Sequence, residues 1–136
     1  MNNNEKILLV DDEPALTAVF ERFLRRLNYQ VFTTNSTREA IKQFHEDSRQ
    51  FDLVITDLTM PEMTGLELAR QLHAIRQNLP IILASGYASG IKCEDLQTAG
   101  ICELLQKPVL MPTLAAALQR ALNAQTLSSF PKWRRQ

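Results

Sequence analysis

Residues 7–14 read Ile7-Leu8-Leu9-Val10-Asp11-Asp12-Glu13-Pro14. Four consecutive apolar residues are too few for a buried helix but match a strand covered on both faces, and Pro14 suits the first turn of a helix that follows. A strand that runs through an acidic turn into a helix is the opening unit of an α/β domain. The rest of the chain repeats the unit. Further apolar runs stand at Val31-Phe32, Leu53-Val54-Ile55 and Ile81-Ile82-Leu83-Ala84, with a weaker one from Ile101 to Leu105. Helical spacing fills the gaps: Leu16, Phe20, Phe23, Leu24 and Leu27 make one stripe, and Leu66, Ala69, Leu72 and Ile75 another. Ser36-Thr37-Arg38-Glu39 has the form of a capping box opening a helix that buries Ala40, Ile41 and Phe44. Leu114, Leu118, Ala121 and Leu122 mark the last helix, while the fourth, around Ile91 to Ala99, is weakened by Gly90 and sparse apolar spacing.

Five strands alternating with five helices predict a (βα)5 doubly wound parallel sheet with helices on both faces. With 136 residues the prior is one domain, large enough to fold without disulfide or metal staples. The expected boundaries are a folded domain over 1–125 and a short basic tail over 126–136. That tail holds Lys132, Trp133, Arg134 and Arg135, and it leaves 12 basic against 15 acidic groups in residues 1–125, net −3. Such a balance argues against direct nucleic-acid binding. No run approaches a membrane span and the start lacks a signal-peptide pattern, so the expected setting is cytoplasmic, without membrane insertion. Cys93 and Cys102 lack metal-ligand spacing and suit a reducing compartment.

In a parallel sheet the carboxyl ends of all strands share one edge, where ligands bind. Here the first strand ends in Asp11-Asp12, the third in Asp57, the fourth in Ser85 and the fifth in Lys107-Pro108. Two carboxylates about 6 Å apart repel by about 3 kcal/mol at an effective dielectric of 20, so the cluster calls for a cation. Oxygen ligands without His or Cys favour Mg²⁺, which accepts phosphate oxygens as further ligands. Phosphoryl chemistry follows. Asp57 stands alone before the loop Leu58-Thr59-Met60-Pro61 and is the candidate nucleophile; Asp11 and Asp12 are the metal pair. Lys107 would place a point charge, and Ser85 a hydroxyl, on the phosphoryl oxygens. Taken singly, each of these residues reads as a turn, cap or surface group; it is their joint placement that carries the reading. His45 and His73 lack metal-spaced partners and read as surface or half-buried, and Met60 and Met63 as packing residues.

The chain resembles a response-regulator receiver domain of two-component signalling. The likeness rests on Leu8 through Pro14, on Asp57-Leu58-Thr59-Met60-Pro61-Glu62-Met63-Thr64-Gly65, on Ala84-Ser85-Gly86 and on Gln106-Lys107-Pro108. It implies a flavodoxin-like fold with strand order 2-1-3-4-5. It implies phosphorylation of Asp57 by a histidine kinase or a His-containing phosphotransfer protein, in a Mg²⁺-dependent reaction that also admits Mn²⁺. Asp11, Asp12, Asp57 and the backbone carbonyl of Thr59 would hold the metal, and the Lys107-Pro108 peptide would be cis. Phosphorylation would draw Ser85 toward the phosphate and repack the face of helix 4, strand 5 and helix 5, where a downstream partner docks. Leu104 departs from the pattern, since many receivers carry Tyr or Phe there. Thr59 and Tyr87 stand where they would modulate hydrolysis. Such a domain catalyses its own phosphorylation and dephosphorylation without being a conventional turnover enzyme. The expected state is a monomer or weak homodimer, free-standing or the C-terminal receiver of a hybrid histidine kinase in a phosphorelay. Competing readings are a receiver acting unphosphorylated as a binding module, a flavodoxin-like nucleotide or flavin binder, and an aspartyl-nucleophile phosphatase.

Overall fold

A computed structural model describes residues 5–123. The proposed 126–136 tail, with Trp133, Arg134 and Arg135, lies outside the described residues. Five parallel strands, β1 (Lys6–Val10), β2 (Gln30–Thr34), β3 (Leu53–Asp57), β4 (Ile81–Ser85) and β5 (Glu103–Gln106), form one sheet in the order β2-β1-β3-β4-β5. Helices α1 (Pro14–Arg26), α2 (Thr37–Glu46), α3 (Gly65–Ile75), α4 (Cys93–Ala99) and α5 (Met111–Asn123) connect or follow them. This is the doubly wound fold read from the sequence.

The period of two along each strand sorts the apolar residues into two layers. Ile7, Leu9, Leu53, Ile55, Ile82 and Ala84 face α1 and α5, packing on Phe20, Leu24, Leu114 and Leu118. Leu8, Val10, Val54, Ile81 and Leu83 face the other helices, packing on Phe44, Leu68, Leu72 and Leu96. β1, β3 and β4 are covered on both sides, and the acidic and hydroxyl residues of β3 and β4, namely Thr56, Asp57 and Ser85, stand at their carboxyl ends, where they too are buried. The burial pattern thus fixes the site at one edge.

Three local details differ from the sequence reading. Ser36 does cap α2, its Oγ accepting from the Glu39 N–H at 3.2 Å, but the Ser36 N–H donates to Thr34 Oγ1 at 3.2 Å rather than to Glu39. The reciprocal capping box stands instead at the start of α3, between Thr64 and Glu67. The fourth helix is shorter than Ile91 to Ala99: Gly90 closes a 3-10 turn (Ala88–Gly90), and α4 begins at Cys93. The fifth strand begins at Glu103, because Gly100 ends α4 in the left-handed region (φ 72°) and Ile101 closes the cap, its N–H donating to Leu96 O at 3.0 Å. Ile101 is nevertheless fully buried.

Candidate functional site

Sheet register decides which side chains meet at the carboxyl edge. Val10 lies opposite Thr56, Asp57 opposite Ala84, and Ser85 opposite Gln106, so the last residues of β1, β3 and β4 step one position further along the edge at each strand, and those of β4 and β5 are level. Asp11 extends β1 by one step, its N–H donating to Thr34 O at 3.2 Å, and its Oδ1 accepts the Glu13 N–H at 2.9 Å. Asp11 and Asp57 are buried at 4% and 8% exposure, whereas Asp12 is exposed. One carboxylate oxygen from each of Asp11, Asp12 and Asp57 lies within 4.8 Å of the others. That is tighter than the ~6 Å taken from strand spacing alone.

Lys107 follows β5 directly, its N–H donating to Ser85 O at 2.8 Å, and its side chain reaches back across the edge. Nζ lies 2.7 Å from Asp57 Oδ1 and 3.4 Å from Asp11 Oδ2. Burial pulls the ammonium pKa down, but the hydrogen bond to Asp57 and the charges of Asp11 and Asp57 more than offset it, and the net shift is upward. Lys107 therefore stays cationic. Burial drives the Asp11 carboxyl the other way from an ordinary ion pair: desolvation and the nearby Asp57 charge outweigh the Glu13 N–H and Lys107, leaving its pKa raised. One ammonium does not compensate three clustered carboxylates. The donor set, all oxygen and open at Asp12, fits a hard divalent cation that keeps several waters.

The remaining sequence-selected residues surround this core. The Ser85 hydroxyl oxygen accepts the Tyr87 N–H at 3.0 Å, and the Tyr87 side chain is largely exposed. Thr59 is exposed in the loop after β3. The Lys107–Pro108 peptide is cis. Leu104 is half-buried and packs as an aliphatic contact against the layer that holds Leu68, Leu72 and Leu96. His73 is half-buried, with Nδ1 2.9 Å from Ala99 O and Nε2 2.8 Å from Leu79 O, and His45 is exposed; neither joins the site. Met60 is buried and Met63 half-buried within the α3 layer.

Three residues quoted in the sequence reading without a role of their own shape the site. Gly65 lies so close to β3 that a Cβ there would stand 2.3 Å from the Asp57 carbonyl oxygen. Glu62, in the Asp57 loop, accepts from the Thr37 N–H at 2.9 Å and the Thr37 hydroxyl at 2.7 Å, tying that loop to the start of α2. Gln106 reaches from β5 to the β4–α4 loop. Long-range side-chain bonds of this kind leave no local pattern. Only Gly65, at the end of the quoted loop, carried a signal, as a glycine opening a helix.

A five-stranded parallel sheet with paired acids, a third acid and a lysine at its carboxyl edge defines a receiver-type signalling domain. The family model for the response regulator receiver domain matches residues 7–119, and the chain belongs to that family. It is 38% identical over 118 residues to the rice two-component response regulator ORR22, covering 87% of this chain and 17% of that protein. The chain spans about a fifth of the length of the curated relatives it matches. Among solved structures, a receiver domain protein from Clostridium thermocellum superposes with a TM-score of 0.82 at 29% identity, covering 91% of this chain and 98% of that one. TrrA from Thermotoga maritima, solved in complex with Mg²⁺-BeF, gives 0.76 at 30% identity, covering 87% and 99%.

Proposed function

We propose that the domain accepts a phosphoryl group on Asp57 from a phosphohistidine, in a Mg²⁺-dependent reaction, and that the modified edge repacks the α4-β5-α5 face for a downstream partner. The observation that carries the reading is the convergence of Asp11, Asp12, Asp57 and Lys107 at one edge. A bound Mg²⁺, held by Asp11, Asp12, Asp57 and the Thr59 carbonyl, would supply Lewis-acid neutralisation of the phosphoryl oxygens. An Asp57 carboxylate oxygen attacks phosphorus, the P–N bond breaks, and the imidazole leaves with its electron pair and takes up a proton. Lys107 compensates charge on the equatorial oxygens, and Ser85 donates its hydroxyl to one of them once the loop has moved. Thr59 and Tyr87 flank the approach of water, where they would modulate hydrolysis of the acyl phosphate.

Beside Lys107 runs a mainly apolar groove of about 390 Å³, lined by Leu16, Val19, Phe20, Pro108, Val109 and Met111. Val19 is more than half exposed there, which suits a helix of the phosphodonor protein laid next to Asp57. The test is incubation with acetyl phosphate and Mg²⁺ followed by intact-mass measurement. One phosphoryl group per chain is expected, none in Asp57→Asn and none with EDTA. Equal uptake by Asp57→Asn would overturn the assignment.

A further inference from the structure

We propose that Gln106 is a latch that holds the β4–α4 loop in the conformation of the unphosphorylated protein and so sets how readily the switch turns; this rests on the phosphoacceptor reading of Asp57. Gln106 is the last residue of β5 and is exposed, yet its amide makes three hydrogen bonds. Oε1 accepts the Ala88 N–H at 3.1 Å, while Nε2 donates to Gly86 O at 2.8 Å and to Lys107 O at 3.0 Å. Only a neutral amide serves all three. A carboxylate has no proton for the two carbonyls, and an ammonium has no lone pair for the Ala88 N–H.

The loop so held is the one that carries Ser85. Its polar groups are engaged within the loop and its strand neighbours: Ser85 O accepts from Lys107 N–H at 2.8 Å, Ser85 Oγ from Tyr87 N–H at 3.0 Å, and Tyr87 O from Gly90 N–H at 3.1 Å. On the proposed reading the Ser85 hydroxyl turns to a phosphoryl group at the end of β3, and a shift of residues 85–88 in that step would break the Gly86 and Ala88 bonds to the Gln106 side chain on β5. Contacts made in one state only shift the equilibrium by their own free energy. Leu104, two residues earlier on the same face of β5, packs in the apolar layer and provides no polar coupling to this loop. The β5 side chain bonded to this loop is therefore Gln106, alongside the backbone bond from the Lys107 N–H to Ser85 O.

The test compares wild type with Gln106→Leu, which removes all three bonds at similar size, and Gln106→Glu, which keeps only the acceptor for Ala88. Hydrogen exchange of the Ala88 amide is followed by NMR in the metal-free, unphosphorylated proteins, and beryllofluoride is titrated in Mg²⁺. With Gln106→Leu, Ala88 exchange should rise on the order of tenfold, the scale of a lost protein hydrogen bond, and the apparent beryllofluoride Kd should fall several-fold. Gln106→Glu should show a smaller rise in exchange and a smaller fall in Kd. Unchanged exchange in Gln106→Leu would overturn the latch. Raised exchange with an unchanged or weaker Kd would overturn its link to the switch. A wild type that binds no beryllofluoride in Mg²⁺ would refute the phosphoacceptor reading and the switch role with it, while the exchange data would still report the loop contact separately.

Discussion

Asp11→Asn should stabilise the metal-free protein and abolish its stabilisation by Mg²⁺. The Asp11 carboxylate is almost fully buried and has one oxygen within 4.8 Å of Asp57 and of Asp12. At that distance and an effective dielectric of 20, each like-charged pair costs about 3.5 kcal/mol. The Lys107 ammonium, 3.4 Å away, returns about 5 kcal/mol on the same scale but is shared with Asp57. Burial adds to the repulsive side, and the balance of these effects raises the Asp11 pKa. A raised carboxyl pKa means that the folded state binds the proton more tightly than the unfolded chain. Its contribution to stability is full below the unfolded carboxyl pKa and is lost as pH rises through the folded value. Asparagine keeps the acceptor for the Glu13 N–H and removes the charge. At pH 7 in EDTA the variant should gain about 1 kcal/mol, or about 4 °C in Tm for a domain of this size. Wild type should gain about 2.7 kcal/mol with Mg²⁺ at a hundred times its Kd, and the variant nearly nothing. The two melting curves, followed by circular dichroism, should therefore exchange order between EDTA and Mg²⁺. A variant less stable than wild type in EDTA would refute the reasoning.

Three further outcomes follow from the same geometry. Lys107→Ala leaves Asp11 and Asp57 without their cation and should lower metal-free stability by about 2 kcal/mol, discounted from a fully buried pair because the lysine is partly exposed; Mg²⁺ should restore part of it in chemical denaturation. Gly65→Ala places a methyl 2.3 Å from the Asp57 carbonyl oxygen and 2.7 Å from Leu83 Cδ1, and should cost about 1–3 kcal/mol together with weaker Mg²⁺ binding by calorimetry. Glu62 has a lowered pKa, chiefly because the Thr37 hydroxyl donates to its carboxylate. Its contribution is present above the unfolded carboxyl pKa and lost as pH falls through the folded value, so Glu62→Gln should flatten the acid limb of a stability–pH curve.

The fold was legible because its apolar runs are short and repeat, and those of β1, β3 and β4 each run into polar residues. Ile7 through Pro14 alone carries strand, acidic turn and helix start. The site was legible for the same reason: Asp11, Asp12, Asp57, Ser85 and Lys107 are strand-end residues, and strand ends of a parallel sheet share an edge. What the sequence did not disclose is set by tertiary contact. Ser36-Thr37-Arg38-Glu39 and Thr64-Gly65-Leu66-Glu67 are alike as capping patterns, and only Thr34 Oγ1, competing for the Ser36 N–H, makes the first one incomplete. Glu62 and Gln106 bond across 25 and 18 residues respectively, beyond the range of any local rule. Leu68 and Ala117 are fully buried although neither fell in the stripes drawn on their helices, since each stripe was drawn narrower than the face the sheet covers.

The central claim is that Asp57 takes the phosphoryl group as an acyl phosphate. Borohydride reduces an aspartyl phosphate to homoserine, which marks the position covalently. After incubation with acetyl phosphate and Mg²⁺, reduction and proteolysis, peptide mass spectrometry should find homoserine at position 57 and unmodified aspartate at positions 11 and 12. Homoserine at 11 or 12, or none at 57 in a protein that has taken up phosphate, would contradict the account.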